Sequence, residues 1–164
     1  MKENKNSCEN CNQEIKDDSD YCPRCGAIFI NDVFCIAHTD VEATGVCVIC
    51  TEPYCNICGN IHKKVFLCKS HLKYEIYESM AKVFGTSDEV EIQHLKSILE
   101  ESGLHPFIYS RKSSPMHLGG TDYSLFRASG DFNGHLINEI KLMLPFSEVM
   151  DAEKMILEIN NNNN

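Results

Sequence analysis

Paired cysteines and histidines dominate the chemistry that this chain of 164 residues offers. All ten cysteines fall within the first 68 residues, and each belongs to a pair whose two members are separated by two residues. Thiolate sulfur and imidazole nitrogen are ligands that zinc prefers, and a gap of two residues lets both donors of a tight turn point at one ion. Six such pairs supply twelve donors, enough for three four-coordinate zinc ions with no cysteine left over. The predicted ligands are Cys8, Cys11, Cys22, Cys25, Cys35, His38, Cys47, Cys50, Cys55, Cys58, Cys68 and His71.

The expected compartment supports metal binding over disulfide formation. No run of about 18 apolar residues exists, which argues against a membrane-spanning helix. The charged, Asn-rich opening has no apolar segment behind it, which argues against a secretory signal peptide. We therefore expect a cytoplasmic chain, where thiols are kept reduced and can serve as metal ligands.

The first two pairs, Cys8-x-x-Cys11 and Cys22-x-x-Cys25, are ten residues apart. Gly26 suits a turn with positive φ after the second pair, and Pro23 presets φ within it. Residues 7–28 resemble the short zinc ribbons found at the front of many bacterial and archaeal proteins. A redox-active Cys-x-x-Cys is the alternative, but no β-α-β pattern surrounds either pair.

The other four pairs lie within residues 35–71, and their eight donors suit two ions. With Cys-x-x-His first and short gaps between the middle pairs, residues 33–73 resemble a B-box zinc finger. Pairs interleave in that family, which implies one site from the first and third pairs and another from the second and fourth. The four residues between Cys50 and Cys55 favour this order, since so short a link can cross between two sites and lock them together. Sequential pairing remains an alternative on spacing alone.

His62, four residues after Cys58, is a thirteenth candidate that could replace Cys68 or His71 as a ligand. The common B-box pattern often has two histidines in its last pair. Cys68-x-x-His71 nevertheless repeats the spacing of the other pairs, which favours these two residues.

The predicted zinc sites are structural, and no catalytic residue is predicted. A catalytic zinc keeps one position open for water, whereas each cluster here supplies four protein ligands. No glutamate stands in a known zinc-hydrolase or deaminase arrangement. Segments of about 35 residues bury too little surface to fold alone, and roughly 10–16 kcal/mol of zinc-binding free energy can take the place of a core. We expect the first 72 residues to be unfolded without metal.

The remainder of the chain has the periodicity of an ordinary α+β domain over residues 80–160. Thr86 or Ser87 is predicted to cap a first helix with an apolar stripe, and Gly103 to end it. Pro145 is expected to break the last strand and Ser147 to cap a second helix, with a disordered tail at 160–164. The predicted order is β-α-β-β-β-α, with two helices on one face of a mostly antiparallel sheet. The strands are predicted at 81–85, 106–109, 123–127 and 140–144, with a loop at 112–121.

This half resembles a small family of prokaryotic signal-transducing proteins, related in fold to the nitrogen-regulatory PII proteins. The resemblance implies a ferredoxin-like sandwich and a regulatory role, and it names no ligand. It is carried by Lys82-Val83-Phe84, Leu99-Glu100-Glu101-Ser102-Gly103-Leu104, Leu118-Gly119-Gly120, Ile140-Lys141-Leu142-Met143-Leu144-Pro145 and Asp151-Ala152-Glu153.

The distribution of charge indicates which kind of partner the chain could bind. The formal net charge is -9, and neither half of the chain carries the basic stripe that binds a phosphate backbone. We therefore expect a non-enzymatic zinc-binding adaptor or regulatory protein that binds a protein partner and no membrane. The alternatives are a nucleic-acid-binding zinc-ribbon protein and a zinc-dependent enzyme.

Overall fold

The computed structural model describes residues 6–110, 130–132, 135–137 and 139–162. The chain divides into two compact units, Met1–Ser79 and Met80–Asn164. None of the described helices is long and apolar enough to cross a membrane. Strand and helix are mixed, which is compatible with the predicted α+β class.

The first unit consists of short antiparallel hairpins, in which β1 pairs with β2, β3 with β4, β5 with β6 and β7 with β8. Its strands are β1 (Asn6–Ser7), β2 (Glu14–Ile15), β3 (Phe34–Cys35), β4 (His38–Glu42), β5 (Gly45–Val46), β6 (Pro53–Tyr54), β7 (Gly59–His62), β8 (Val65–Cys68) and β9 (Ile76–Tyr77). Two-stranded hairpins of this length are marginally stable in water. The unit therefore needs another source of stability.

The most buried side chains of the first unit are largely cysteines. At most 1% of the surface of each of five cysteines is exposed: Cys8, Cys22, Cys35, Cys47 and Cys55. Leu67 is the one other side chain of the described part of this unit that is buried to the same degree. Sulfur donors thus share the interior of this unit with apolar side chains such as Val46, Ile49 and Phe66.

Phe66 is the main aromatic contact between the hairpins. A Cβ built on Gly45 would lie 2.5 Å from Cγ of Phe66, and one built on Gly59 would lie 2.6 Å from its Cζ. A Cβ on Gly26 would lie 2.9 Å from Cβ of Phe66. Gly45 in β5 and Gly59 in β7 therefore make room for the buried ring, and Gly26 makes room for its Cβ.

Backbone hydrogen bonds join the ribbon segment to the hairpins that follow it. Val46 donates its N–H to the carbonyl of Gly26 at 2.8 Å, and Phe66 donates to the carbonyl of Cys25 at 2.9 Å. The second ribbon turn is thus held against β5 and β8, within the first unit.

The second unit contains the long helices and the main sheet. Its elements are β10 (Met80–Thr86), α1 (Glu89–Glu101), β11 (Phe107–Ser110), β12 (Gly130–Phe132), β13 (His135–Ile137), β14 (Ile140–Pro145), a 3-10 turn (Phe146–Glu148) and α2 (Val149–Asn162). Within this unit the sheet order is β11-β14-β10, and β14 is antiparallel to both β10 and β11. Both helices pack against β10 and β14 and against each other, so they share one face of the sheet.

The start of α1 differs from the prediction. Asp88 is the N-cap, and its side chain accepts from the N–H groups of Val90 and Glu91. Thr86 is instead the last residue of β10, and its hydroxyl donates to Glu91 at 2.6 Å. The prediction of Thr86 or Ser87 as the cap was wrong because the strand continues through Thr86.

Gly103 follows the end of α1, as predicted. It has φ of +85°, and its N–H bonds to the carbonyl of Glu100 while that of Leu104 bonds to Leu99. These two bonds form a Schellman motif, in which glycine adopts a left-handed conformation at no steric cost.

Further predictions in this half had mixed outcomes. Ser147 lies inside the 3-10 turn, which has no side-chain cap, and α2 begins two residues later. The helix continues to Asn162, so the prediction of disorder was wrong for residues 160–162, and residues 163–164 lie outside the described part; no glycine or proline interrupts the chain after Val149. The loop predicted at 112–121 and the strand predicted at 123–127 lie outside the described residues.

Candidate metal centres

Three groups of four donors could each hold a metal ion, and within each group the donor atoms lie within 4.8 Å of one another. The groups are Cys8, Cys11, Cys22 and Cys25; Cys35, His38, Cys55 and Cys58; and Cys47, Cys50, Cys68 and His71. We call them the ribbon site, the Cys35 site and the Cys47 site. The second and third groups have the interleaved order, with the first pair beside the third and the second beside the fourth. Sequential pairing is not the grouping that the structure contains.

Five of the six pairs have the same local turn. The residue after the second donor gives its N–H to the carbonyl of the first donor, at 2.8 to 3.0 Å. The bonds run from Asn12 to Cys8, from Gly26 to Cys22, from Thr51 to Cys47, from Gly59 to Cys55 and from Leu72 to Cys68. This bond closes the turn and brings the two donors of a pair to the same side. The exception is the Cys35 and His38 pair, whose residues face each other across the β3–β4 hairpin.

The sulfur distances in the ribbon site match a shared ion. Cys8 and Cys25 have their Sγ atoms 3.6 Å apart, as do Cys11 and Cys22. A disulfide would need about 2.05 Å. A zinc–sulfur distance of about 2.3 Å gives a tetrahedral edge of about 3.8 Å, close to the observed spacing.

In the Cys35 site, His38 faces all three sulfurs through Nδ1. The distances from this nitrogen are 3.8 Å to Cys35, 3.5 Å to Cys55 and 3.3 Å to Cys58. Tetrahedral zinc with one nitrogen ligand places nitrogen and sulfur about 3.5 Å apart. The four donors are therefore arranged as one ion would require.

The Cys47 site is built in the same way and lies deeper. His71 Nδ1 is 3.4 Å from Sγ of Cys47 and 3.2 Å from Sγ of Cys68. His71 is 9% exposed, whereas His38 lies on the surface. Tyr54 lies behind the cluster, with its hydroxyl 3.9 Å from Sγ of Cys50.

Crowded thiols favour a cation in the Cys47 site. A hydrogen bond with Cys50 lowers the pKa of Cys47 to about 4. The same contact raises the pKa of Cys50 well above its ordinary value. One thiol of the pair therefore ionises at the expense of the other, because like charges this close repel. A divalent cation removes that conflict, since it is bound by thiolates and lets both ionise.

The donor chemistry suits zinc. Sets of four thiolates, or of three thiolates with one imidazole, are those of tetrahedral structural zinc sites. These are also the twelve donors singled out by their spacing, in three sets of four.

Three other histidines whose side chains the structure describes lie outside the three groups. His62 belongs to β7, opposite Val65, and is in none of the three groups. His94 is exposed on α1. His105 binds Glu148 through both its backbone N–H, at 2.7 Å, and its Nδ1, at 2.8 Å.

Two supporting residues were not found from the sequence. Phe66 and Tyr54 contact the turns and the donors, but neither has a spacing that marks it. Gly26 and Gly59 do give a sequence signal for a buried neighbour such as Phe66. Each directly follows the second donor of a pair, and a glycine there lets another residue approach the backbone closely.

Comparison with known proteins adds no relationship. No protein-family model matches the chain, and no curated protein or solved structure is significantly similar to it.

Proposed function

We propose that this chain is a zinc-binding, non-enzymatic adaptor or regulatory protein whose metal-held modules present a fixed surface to a protein partner. The observation that carries the proposal is the set of three closed groups of four donors. Sites of this composition use zinc to hold short turns in place.

The arrangement of the donors supports a structural role for the metal. Four protein donors fill a tetrahedral zinc and leave no position for a substrate or a reactive water. In each group the donors come from two turns that are distant in sequence, so an ion would cross-link them. The interleaved order extends that cross-linking over residues 35–71, which is the arrangement implied by the resemblance to B-box fingers.

A regulatory role for the second unit is part of the proposal. The topology of this unit supports it. Along the chain the order is β10, α1, β11, whereas in the sheet β14 lies between β10 and β11, and both helices cover one face of the sheet. This topology is consistent with the ferredoxin-like arrangement of the signal-transducing family that the sequence resembles.

Native mass spectrometry of the purified chain tests the metal part of the proposal. We expect three tightly held zinc ions in the unaltered protein and two in His38→Ala. The matched control is His62→Ala, which removes a histidine outside the three groups and should retain all three ions. Fewer than three ions, or one that exchanges within minutes, would reopen the possibility of an enzyme.

A pull-down with the full zinc-loaded chain tests the adaptor part. Cys55→Ser removes a donor of the Cys35 site and should lose the partners that the unaltered chain captures. Retention of the same partners by both proteins would show that the metal modules are not the recognition surface. Retention on DNA or RNA above physiological salt would favour the nucleic-acid alternative, since non-specific binding weakens steeply with salt.

A further inference from the structure

The Cys35 site is surrounded by large apolar side chains that face solvent. Ile36 lies between Cys35 and His38 and is 54% exposed, and Ile57 lies between Cys55 and Cys58 and is 59% exposed. Because the donors on either side of each isoleucine converge within 4.8 Å, the two side chains stand on neighbouring turns of one site. Phe34, 45% exposed, precedes the first of these turns. Exposed apolar patches of this kind mark interaction sites.

The chain segment that carries these side chains is acidic. Residues 25–62 contain no lysine or arginine and four carboxylates, at Asp32, Asp40, Glu42 and Glu52. Three thiolates and one divalent ion would add a further charge of -1 at the Cys35 site. The patch is therefore both apolar and acidic, in a segment of 38 residues without a compensating lysine or arginine.

Acidic and apolar groups are close together in the β3–β4 hairpin. Phe34 stands directly opposite Glu42, and all five residues of β4 are exposed. Glu42 and Asp32 also line an adjoining cleft of about 690 Å³, together with Ile30. The residues around that cleft include no lysine or arginine. Glu52 is adjacent to Pro53, whose carbonyl accepts the N–H of Ile36 at 3.0 Å.

We infer that this surface, which we name the knuckle face and define as Phe34, Ile36, Asp40, Glu42 and Ile57, binds a partner segment that carries lysine or arginine beside apolar side chains. The inference rests on the proposed adaptor function and specifies the chemistry of the partner. Apolar side chains of the partner cover Ile36 and Ile57, while its cations meet Asp40 and Glu42. Metal-held turns need little ordering on binding, which favours affinity. Complementary charge selects the partner and speeds its encounter.

The test uses the full zinc-loaded chain and a fluorescent 14-residue helical peptide composed of leucine and lysine. A peptide with every lysine replaced by glutamate is the comparison probe. Fluorescence anisotropy should show binding of the lysine peptide at least tenfold tighter than of the glutamate peptide, with an affinity that falls as salt rises. The double variant Ile36→Ser/Ile57→Ser should weaken binding at least tenfold. Its matched control is Ile61→Ser, an isoleucine that is 68% exposed elsewhere in the same unit.

A second pair of variants separates local from overall charge. Asp40→Asn/Glu42→Gln should weaken binding and reduce its salt dependence. Glu9→Gln/Asp18→Asn, which removes the same charge from exposed positions in the ribbon segment, should leave affinity within about twofold. Equal losses in the two double variants, or equal binding of the lysine and glutamate peptides, would overturn the inference.

Failure of this inference can be told apart from failure of the proposed function. Zinc content of every variant is measured by native mass spectrometry, so that loss of binding is scored only where three ions remain. If the zinc-loaded chain captures partners that Ile36→Ser/Ile57→Ser also captures, the adaptor function stands and the knuckle face is excluded. If Cys55→Ser captures them as well, the adaptor role of the metal modules falls.

Discussion

The ring of Phe66 fills the space that a side chain at Gly45 would occupy, since a Cβ there would come within 2.5 Å of Cγ of the ring. Phe66 is 4% exposed, and its backbone N–H binds the carbonyl of Cys25 in the ribbon site. Phe66 therefore joins β5, through its ring, to the ribbon site, through its backbone.

Replacing Phe66 with alanine should destabilise the first unit by about 3–5 kcal/mol, because it removes a large buried ring and leaves a cavity beside Gly45 and Gly59. Thermal unfolding of the zinc-loaded protein measures the loss. Phe29→Ala is the control, since Phe29 is 41% exposed and its loss should cost far less. Equal melting temperatures for the two variants would contradict the packing role given to Phe66.

Removal of metal should unfold the first unit and leave the second unit folded. Seven of the buried side chains in the described part of the first unit are cysteines among the predicted metal ligands, whereas the second has an apolar core that includes Leu99, Leu142 and Val149. Hydrogen exchange after treatment with a strong chelator should show protection lost over residues 8–71 and retained in α1 and β14. Persistent protection around the cysteine pairs would show that the hairpins fold without an ion.

The donor pairs illustrate how much of the site the sequence can predict. Spacing alone identifies the six pairs, because two residues between donors is a local property of one turn. Spacing could not decide between interleaved and sequential grouping, since either satisfies the local geometry; the resemblance to B-boxes was needed. The packing of Phe66 against Gly26, Gly45 and Gly59 depends on tertiary approach: a glycine after a donor pair marks where a neighbour could come close, but not which residue does so.

The two ends of α1 also differ in how well the sequence predicts them. Gly103 was predicted because a left-handed residue after a helix strongly favours glycine. At the other end Thr86, Ser87 and Asp88 are all good caps. The choice among them is made by the sheet, since β10 continues through Thr86 and leaves Asp88 to begin the helix.

Two glycines with positive φ should respond differently to alanine. Gly103 has φ of +85°, and a Cβ placed on it would have no neighbouring atom within 4 Å, so Gly103→Ala should cost only the conformational penalty of about 1–2 kcal/mol. At Gly26, φ is +81° and a Cβ would lie 2.1 Å from the carbonyl oxygen of Val46, so Gly26→Ala should be more damaging. Thermal melting of both variants measures the difference. A smaller loss for Gly26→Ala would mean that the ribbon turn is not packed against β5.

Acid should release the ion of the Cys35 site before that of the Cys47 site. Hydrogen bonding with the Cys35 sulfur raises the pKa of His38, so a proton competes with metal for this imidazole at higher pH than for an ordinary histidine. Burial opposes ionisation of Cys35, but hydrogen bonds with Cys55 and His38 outweigh it and place the pKa of Cys35 at about 6. The Cys47 site lies deeper, with His71 only 9% exposed while His38 lies on the surface, so water reaches its donors less readily.

Native mass spectrometry across a descending pH series should therefore show one ion lost from the Cys35 site while the Cys47 site is still filled. Each ion can be assigned with His38→Ala, which lacks the early step. Release from both sites at one pH would contradict the assignment.

Glu148 should matter more to the second unit than His105, although the two side chains bind each other. Its carboxylate accepts hydrogen bonds from the backbone N–H and from Nδ1 of His105. These two bonds hold the segment between α1 and β11 against the start of α2. The His105 side chain is 78% exposed, so its ion pair with Glu148 contributes less than about 1 kcal/mol. The backbone bond survives in His105→Ala, whereas Glu148→Ala removes both bonds and should cost about 1.5–3 kcal/mol, the range for a hydrogen bond to a charged group. Hydrogen exchange at residues 104–107 should accelerate in Glu148→Ala and change little in His105→Ala; equal acceleration in both would show that the side-chain pair, and not the backbone bond, fixes this segment.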